Sequence, residues 1–294
     1  MTYNTIIVLA GACLLGALCG AVGSFAVLRR RALMGDVMAH AALPGLPLAF
    51  LLAGGKSLPM LLTGAAASIL LGMGWFAAMR YRSRTHDDAA MALVLASMFG
   101  LGIVLLRHVQ NVSTGGHAGL ESFIFGKTAG MVASDVWITG GVALVCLGVI
   151  AVAYKELRLV CFDPGFAAST GLRVGWVDFL ITGLLALAVV VGLPMVGVVM
   201  VAALTIIPAV AARFWTESLG PMLGIASVFG ALACALGVLV SASQERMPSG
   251  PLIVLAAAVL FVLSALFAPQ RGLVARRLRL ERLRHAWREG RLEA

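Results

Sequence analysis

Charge is scarce in this chain of 294 residues: Asp, Glu, Lys and Arg make up 12% of it, about half the share usual in a soluble domain. With 61% hydrophobic residues and a mean hydropathy of +1.01, that scarcity excludes a soluble globular enzyme and predicts a polytopic membrane protein. Acid is the scarcer sign, 13 residues against 22 basic ones. Aromatics are few, and the basic residues flank apolar runs instead of forming one patch interleaved with rings, which excludes nucleic acid as a partner and assigns the charge to membrane orientation. The five cysteines (Cys13, Cys19, Cys146, Cys161, Cys234) contain no C-x-x-C spacing, so neither a disulfide framework nor a zinc-thiolate site is expected. A phosphate-binding loop is missing too. Gly126-Lys127-Thr128 and Gly55-Lys56-Ser57 resemble its end, but the required preceding glycine is replaced by Glu121 and Phe50. Nucleotide hydrolysis must therefore belong to another chain. No basic segment precedes the apolar run Thr5 to Leu28, which is too long for a signal-peptide core and is expected to be a retained span.

What the sequence does have is nine apolar segments long enough to approach about 30 Å of hydrocarbon. They run from Thr5 to Leu28, Ala32 to Ala53, Leu58 to Met79, Ala89 to Leu106, Val136 to Ala153, Trp176 to Gly192, Met195 to Ala212, Leu219 to Ser241 and Pro251 to Ala268. Strict alternation leaves only Lys56, Arg107, Lys127 and Arg246 on one side and gathers every other Lys and Arg on the opposite side. The positive-inside rule makes the crowded side cytoplasmic, with the N-terminus outside and the C-terminus inside. The weakest division is Gly192-Leu193-Pro194; merging the sixth and seventh segments would abolish the bias, so nine are kept. The expected fold is all-α, with a transmembrane domain over 1–268 and a basic tail over 269–294.

Inside the second segment lie Asp36 and His40, four residues apart and hence on one helix face about 6 Å apart along the axis. Counted from Arg31, Asp36 sits about 7 Å and His40 about 13 Å into the hydrocarbon. A charge there costs about 2.5–3.5 kcal/mol on insertion scales, and a bound cation would offset it. Oxygen plus nitrogen suits a borderline divalent metal. Two bland alternatives stand beside this: a structural hydrogen bond between the two, or Asp36 pairing with Arg31. Two ligands cannot close a site, so the metal reading predicts a two-fold partner that repeats the pair. Proline removes the N–H that would bond the carbonyl four residues earlier, so Pro44, Pro47, Pro194 and Pro208 free the carbonyls of His40, Leu43, Val190 and Leu204.

Between the fifth and sixth segments, Asp163 can cap a helix that Pro164 begins and Gly171 ends, with Ala167 and Ala168 as a small-residue face for close docking. His117 and Glu121 repeat the acid–histidine spacing in an outer loop and are weaker candidates for guiding a metal. Thr85 and Asp88 read as a capping pair, with His86 and Asp87 solvated beside them. The tail, rich in Arg and Leu, predicts a basic amphipathic helix on the anionic inner leaflet or against a partner. The thirteen methionines do not cluster, which disfavours copper.

Several strings now resemble one family: RALMGDVMAHAALPGLPLAF from Arg31 to Phe50, TGGHAGLESFIFG from Thr114 to Gly126, KELRLVCFDPGFAASTGL from Lys155 to Leu172, and GVVMVAALTIIPAVAARFWT from Gly197 to Thr216. They are similar to the metal-ion permeases of ATP-binding-cassette importers that take up manganese, zinc and iron. The resemblance implies a bacterial inner-membrane permease with the cobalamin-importer-like, type II fold. It implies a second permease copy or paralogue, a cytoplasmic ATPase, and an extracytoplasmic metal-binding protein as donor. In that family the acid and histidine of G-D-x-x-x-H line the metal path, here Asp36 and His40, and the coupling helix corresponds to Asp163 through Gly171. The cargo is then a divalent cation, manganese first with zinc or iron next, and no permanently bound cofactor is expected. A proton-coupled secondary transporter or channel, with Asp36 and His40 as a proton relay, is the alternative.

Overall fold

The structure is a computed structural model that describes residues 3–53, 57–83, 85–112, 126, 131–243, 247–277 and 281. Among these residues every regular element is helical: α1 (Tyr3–Leu28), α2 (Met34–Ala41), α3 (Gly45–Ala53), α4 (Leu58–Arg82), α5 (Asp87–Val112), α6 (Ala133–Val152), α7 (Tyr154–Phe162), α8 (Pro164–Ser169), α9 (Val174–Val196), α10 (Val198–Arg213), α11 (Leu219–Ser243) and α12 (Ser249–Phe267). Hydrocarbon offers no partner for a backbone amide, so a chain this apolar must satisfy its own hydrogen bonds helically. Eight helical segments are long and apolar enough to cross a membrane, α2 and α3 together forming one of them. The ninth expected segment is α10, only 16 residues or about 24 Å long.

α1 is the central post. It lies along α11 for most of its length and also touches α10, α6 and α9. α12 closes over α10 and α11, while α2 is enclosed by α5, α10, α4 and α9. The tail is helical over residues 273–277; the remainder of the expected amphipathic helix falls outside the described residues, apart from Glu281.

Two breaks in the helices define the architecture. The first splits the second span at Ala42–Pro44. The His40 carbonyl that Pro44 was expected to free is in fact taken by the Leu43 N–H at 3.1 Å, a tighter turn that recovers the lost bond. One of its two lone pairs is therefore already engaged. The neighbouring Ala41 carbonyl accepts instead from Ser68 Oγ of α4 at 2.6 Å. Ser68 is buried, so Ser68→Ala should cost about 0.6–2 kcal/mol and lower the unfolding midpoint of the purified permease in detergent. An unchanged midpoint would mean that another donor replaces the hydroxyl.

The second break corrects the expected division between the sixth and seventh spans. Gly192 and Pro194 lie inside a continuous α9, and the chain reverses at Gly197, whose φ is +89°. Proline only removes one hydrogen bond from a helix, whereas a positive φ ends it, and glycine alone takes that conformation at no steric cost. Gly126, also at positive φ, seats its backbone directly against the Val196–Gly197 junction, where a Cβ would collide with Val196. The last residue of the TGGHAGLESFIFG string is thus packed on the hinge between α9 and α10.

Candidate functional site: an acid–histidine pair on a broken span

α2 is eight residues long, and six of them are buried: Met34, Gly35, Val37, Met38, Ala39 and Ala41. The two that retain exposed surface are Asp36 and His40. Three-quarters of the helix is thus committed to packing, and its one open stripe carries the ionisable pair. Gly35 permits this enclosure by letting Thr205 of α10 approach where a Cβ would stand.

His40 Nε2 lies 3.3 Å from Asp36 Oδ1, with the side chains 14% and 31% exposed. The imidazole is fixed edge-on against Phe99 of α5, with ring centroids 5.1 Å apart at 86°. Its other nitrogen, Nδ1, is buried without a hydrogen-bond partner, so Nε2 is the nitrogen turned to the carboxylate. Two donors 3.3 Å apart, each about 2.1–2.2 Å from one ion, subtend roughly 100° at it, between the octahedral and tetrahedral angles. One ion could bridge donors at that spacing. Among the described residues no group of three or more His, Cys, Asp or Glu side chains gathers to hold a metal.

The alternative partner for Asp36 is engaged elsewhere. Arg31 Nη1 reaches Asp178 Oδ2 at 3.3 Å and its Nε reaches Asp87 at 3.5 Å. Arg29 Nη2 contacts Asp178 Oδ1 at 2.8 Å, and its Nη1 donates to the Val160 carbonyl of α7 at 2.9 Å. Arg80 bridges Asp87 at 3.3 Å and Asp178 at 3.8 Å. Three guanidinium groups and two carboxylates from the α1–α2 turn, α4, α5 and α9 thus knot together beneath α2. Asp87 was expected to be solvated; it is instead a member of this knot, because the folded chain brings Arg31 and Arg80 over the start of α5. Asp178 was not singled out from sequence at all. The available signal was a lone acid in the first turns of an otherwise apolar span.

The arm after α6 folds as α7 and α8. Asp163 Oδ1 accepts from the Phe166 N–H at 2.9 Å, Pro164 occupies the first helical position, and Gly171 turns the chain away at φ +85°. Ala167 is fully buried while Ala168 is exposed. The small-residue docking face must therefore be revised: Ala167 seats α8 on the bundle, and the outward surface carries Phe162, Phe166 and Ala168. Leu157 and Val160 anchor α7 in the same way. Burial pushes the Cys161 thiol up to about 11, despite the opposing effect of Arg29; that thiol stays protonated at neutral pH and is not a metal-ligating thiolate. His117 and Glu121 lie outside the described residues.

Among the described residues the chain is an all-helical bundle of apolar spans, the architecture of a membrane transport permease. The comparisons agree. Residues 1–268 match the ABC 3 transport family, to which the chain belongs. The manganese transport system membrane protein MntC of Bacillus subtilis is 44% identical over 281 residues, which cover 96% of this chain and 65% of that longer protein. The zinc transport system membrane protein TroC of Treponema pallidum is 40% identical over 283 residues, 96% of this chain and 95% of that one. Among solved structures, PsaBC from Streptococcus pneumoniae in complex with Fab superposes with a TM-score of 0.82 at 31% identity, covering 96% of both chains. The fold is thus an all-α type II importer permease, as the sequence predicted.

Proposed function

We propose that this chain is the membrane permease subunit of an ATP-driven importer for a divalent transition metal, manganese first, with zinc and iron as the close competitors. The observation that carries the reading is the open stripe of α2, where packing consumes every residue except Asp36 and His40. Two copies of the permease, or a copy and a paralogue, would place two such chelates across a shared axis and complete a coordination shell. An oxygen and nitrogen set binds zinc more tightly than manganese, so selection for manganese would rest on geometry and on an extracytoplasmic donor protein. The crowded basic side is the cytoplasmic side, with the N-terminus outside. An ATPase docks there against α8, and hydrolyses the nucleotide this chain has no loop to bind.

The deciding experiment is reconstitution of the permease with its ATPase and donor in vesicles, followed by uptake from a panel of Mn2+, Zn2+ and Fe2+. ATP-dependent Mn2+ accumulation is expected. Uptake driven by a pH gradient without ATP would overturn the reading in favour of a secondary transporter.

The docking arm gives a second expected result. Asp163→Ala removes the side-chain acceptor for the Phe166 N–H, a cap worth about 1 kcal/mol, which a helix of six residues has few other bonds to replace. ATP turnover stimulated by the donor protein should fall several-fold while the permease unfolds at its usual temperature, because Leu157, Val160 and Ala167 still hold the arm. Normal stimulation in this variant would remove α8 from the docking role.

A further inference from the structure

The charged knot under α2 has no part in the proposed metal chelate. It is a cluster of half-buried charge outside the proposed chelate, and its members reach both α7 and α9. Arg29 holds α7 by donating to the Val160 carbonyl at 2.9 Å. Three residues after Val160 stands Asp163, the cap of α8. The same guanidinium grips Asp178 of α9 at 2.8 Å, and Asp178 in turn receives Arg31 at 3.3 Å. The Arg31 carbonyl accepts the first N–H of α2, that of Met34, at 2.9 Å, and Asp36 is five residues from Arg31.

We propose that Arg29 and Asp178 are positioning residues that tie the ATPase-docking arm to the foot of the metal-binding helix, so that displacement of α8 is delivered to α2 through one planar, two-armed guanidinium. This rests on the proposed function and deepens it. Three physical features favour a transmitting joint over simple reinforcement. Arg29 and Asp178 are only 13% and 14% exposed, so water screens their attraction little. The guanidinium fork fixes direction as well as distance, which an ammonium cannot do. Asp178 can exchange partners, because Arg29, Arg31 and Arg80 all lie within 3.8 Å of it; a carboxylate shared among three cations has more than one low-energy arrangement. A coupling element needs such alternatives to be biased from both ends.

The test measures Mn2+ delivered per ATP hydrolysed in the reconstituted importer. Arg29→Gln leaves Asp178 paired with Arg31 and Arg80, so the permease is expected to assemble, bind Mn2+ within twofold of wild type and retain basal ATP turnover. The transport-to-hydrolysis ratio should fall about tenfold. Arg29→Lys restores the charge on Asp178 without the second arm to Val160, and a partial rescue is expected. Arg82→Gln removes an exposed arginine near the same end of α4 and should leave the ratio unchanged. A ratio within twofold of wild type in Arg29→Gln overturns the proposal, including the case in which uptake and turnover decline together. If Arg29→Gln does not assemble, Arg29→Lys carries the test by the same criterion. Absence of any ATP-dependent metal uptake in the wild-type complex would instead defeat the underlying functional reading.

Discussion

Asp36→Ala and His40→Ala should each abolish metal uptake while leaving the permease folded, and Asp36→Ala should raise the unfolding midpoint of the metal-free protein or leave it unchanged. Loss of an outer-shell partner already costs a metal site about 10–100-fold, and in the proposed site these residues are the donors themselves, so uptake should fall by at least that factor in each. Stability moves the other way for a physical reason. Asp36 stands within the second span, 31% exposed, with His40 as its partner at 3.3 Å, and an ionised group inside a membrane carries an insertion cost of about 2.5–3.5 kcal/mol. The six buried residues of α2 are untouched by either change. Uptake of Mn2+ into vesicles together with thermal unfolding in detergent checks both halves. If Asp36→Ala lowers the midpoint by several degrees, the pair is a structural strut and the chelate assignment fails.

The pair was legible from sequence because its two members are local, four residues apart on one helix in a stretch with no reason to tolerate charge. The same logic located the cap at Asp163 and the turn at Gly171, which depend on neighbours a few residues away. The charged knot was not legible. Arg29 and Arg31 lie nearly 150 residues from Asp178, so no spacing announces them, and Asp87 looked like one more solvated acid at a helix start. The division after the sixth segment was placed at Gly192-Leu193-Pro194 to preserve the Lys and Arg bias, whereas the requirement for positive φ at Gly197 exists only in three dimensions. Ala167 was assigned to the wrong face for a related reason: in a helix of less than two turns, direction is set by what lies underneath. Lys and Arg asymmetry yields an orientation, but the spacing of Asp36 and His40 does not by itself single out one divalent metal.

Glycines on the central post carry the other large expected effect. α1 presents Gly16, Gly20 and Gly23, and α11 presents Gly230, at positions where the two backbones, or α1 and α10, meet directly. A Cβ at Gly16 would strike the Gly230 carbonyl, one at Gly230 the Gly16 carbonyl, one at Gly20 the Ala226 carbonyl, and one at Gly23 the Thr205 carbonyl. Small residues four apart allow this approach in membranes, where packing replaces the hydrophobic effect as the force between helices. Because the obstructing atoms are backbone oxygens, no rotamer change relieves the clash, and α1 touches six other helices that would have to move with it. Gly230→Val should therefore cost at least the 1–3 kcal/mol typical of an overpacked core, against a total stability of only about 5–15 kcal/mol, and should lower both yield and unfolding midpoint sharply. Gly16→Ala and Gly230→Ala should each destabilise, and the double variant should cost less than their sum, since one separation of α1 from α11 accommodates both methyl groups. Gly224→Ala, on the same helix with no atom within 4 Å of its added carbon, is the control and should leave the midpoint unchanged or slightly higher. Equal midpoints for Gly230→Ala and Gly224→Ala would show that the α1–α11 contact is looser than its backbone geometry requires.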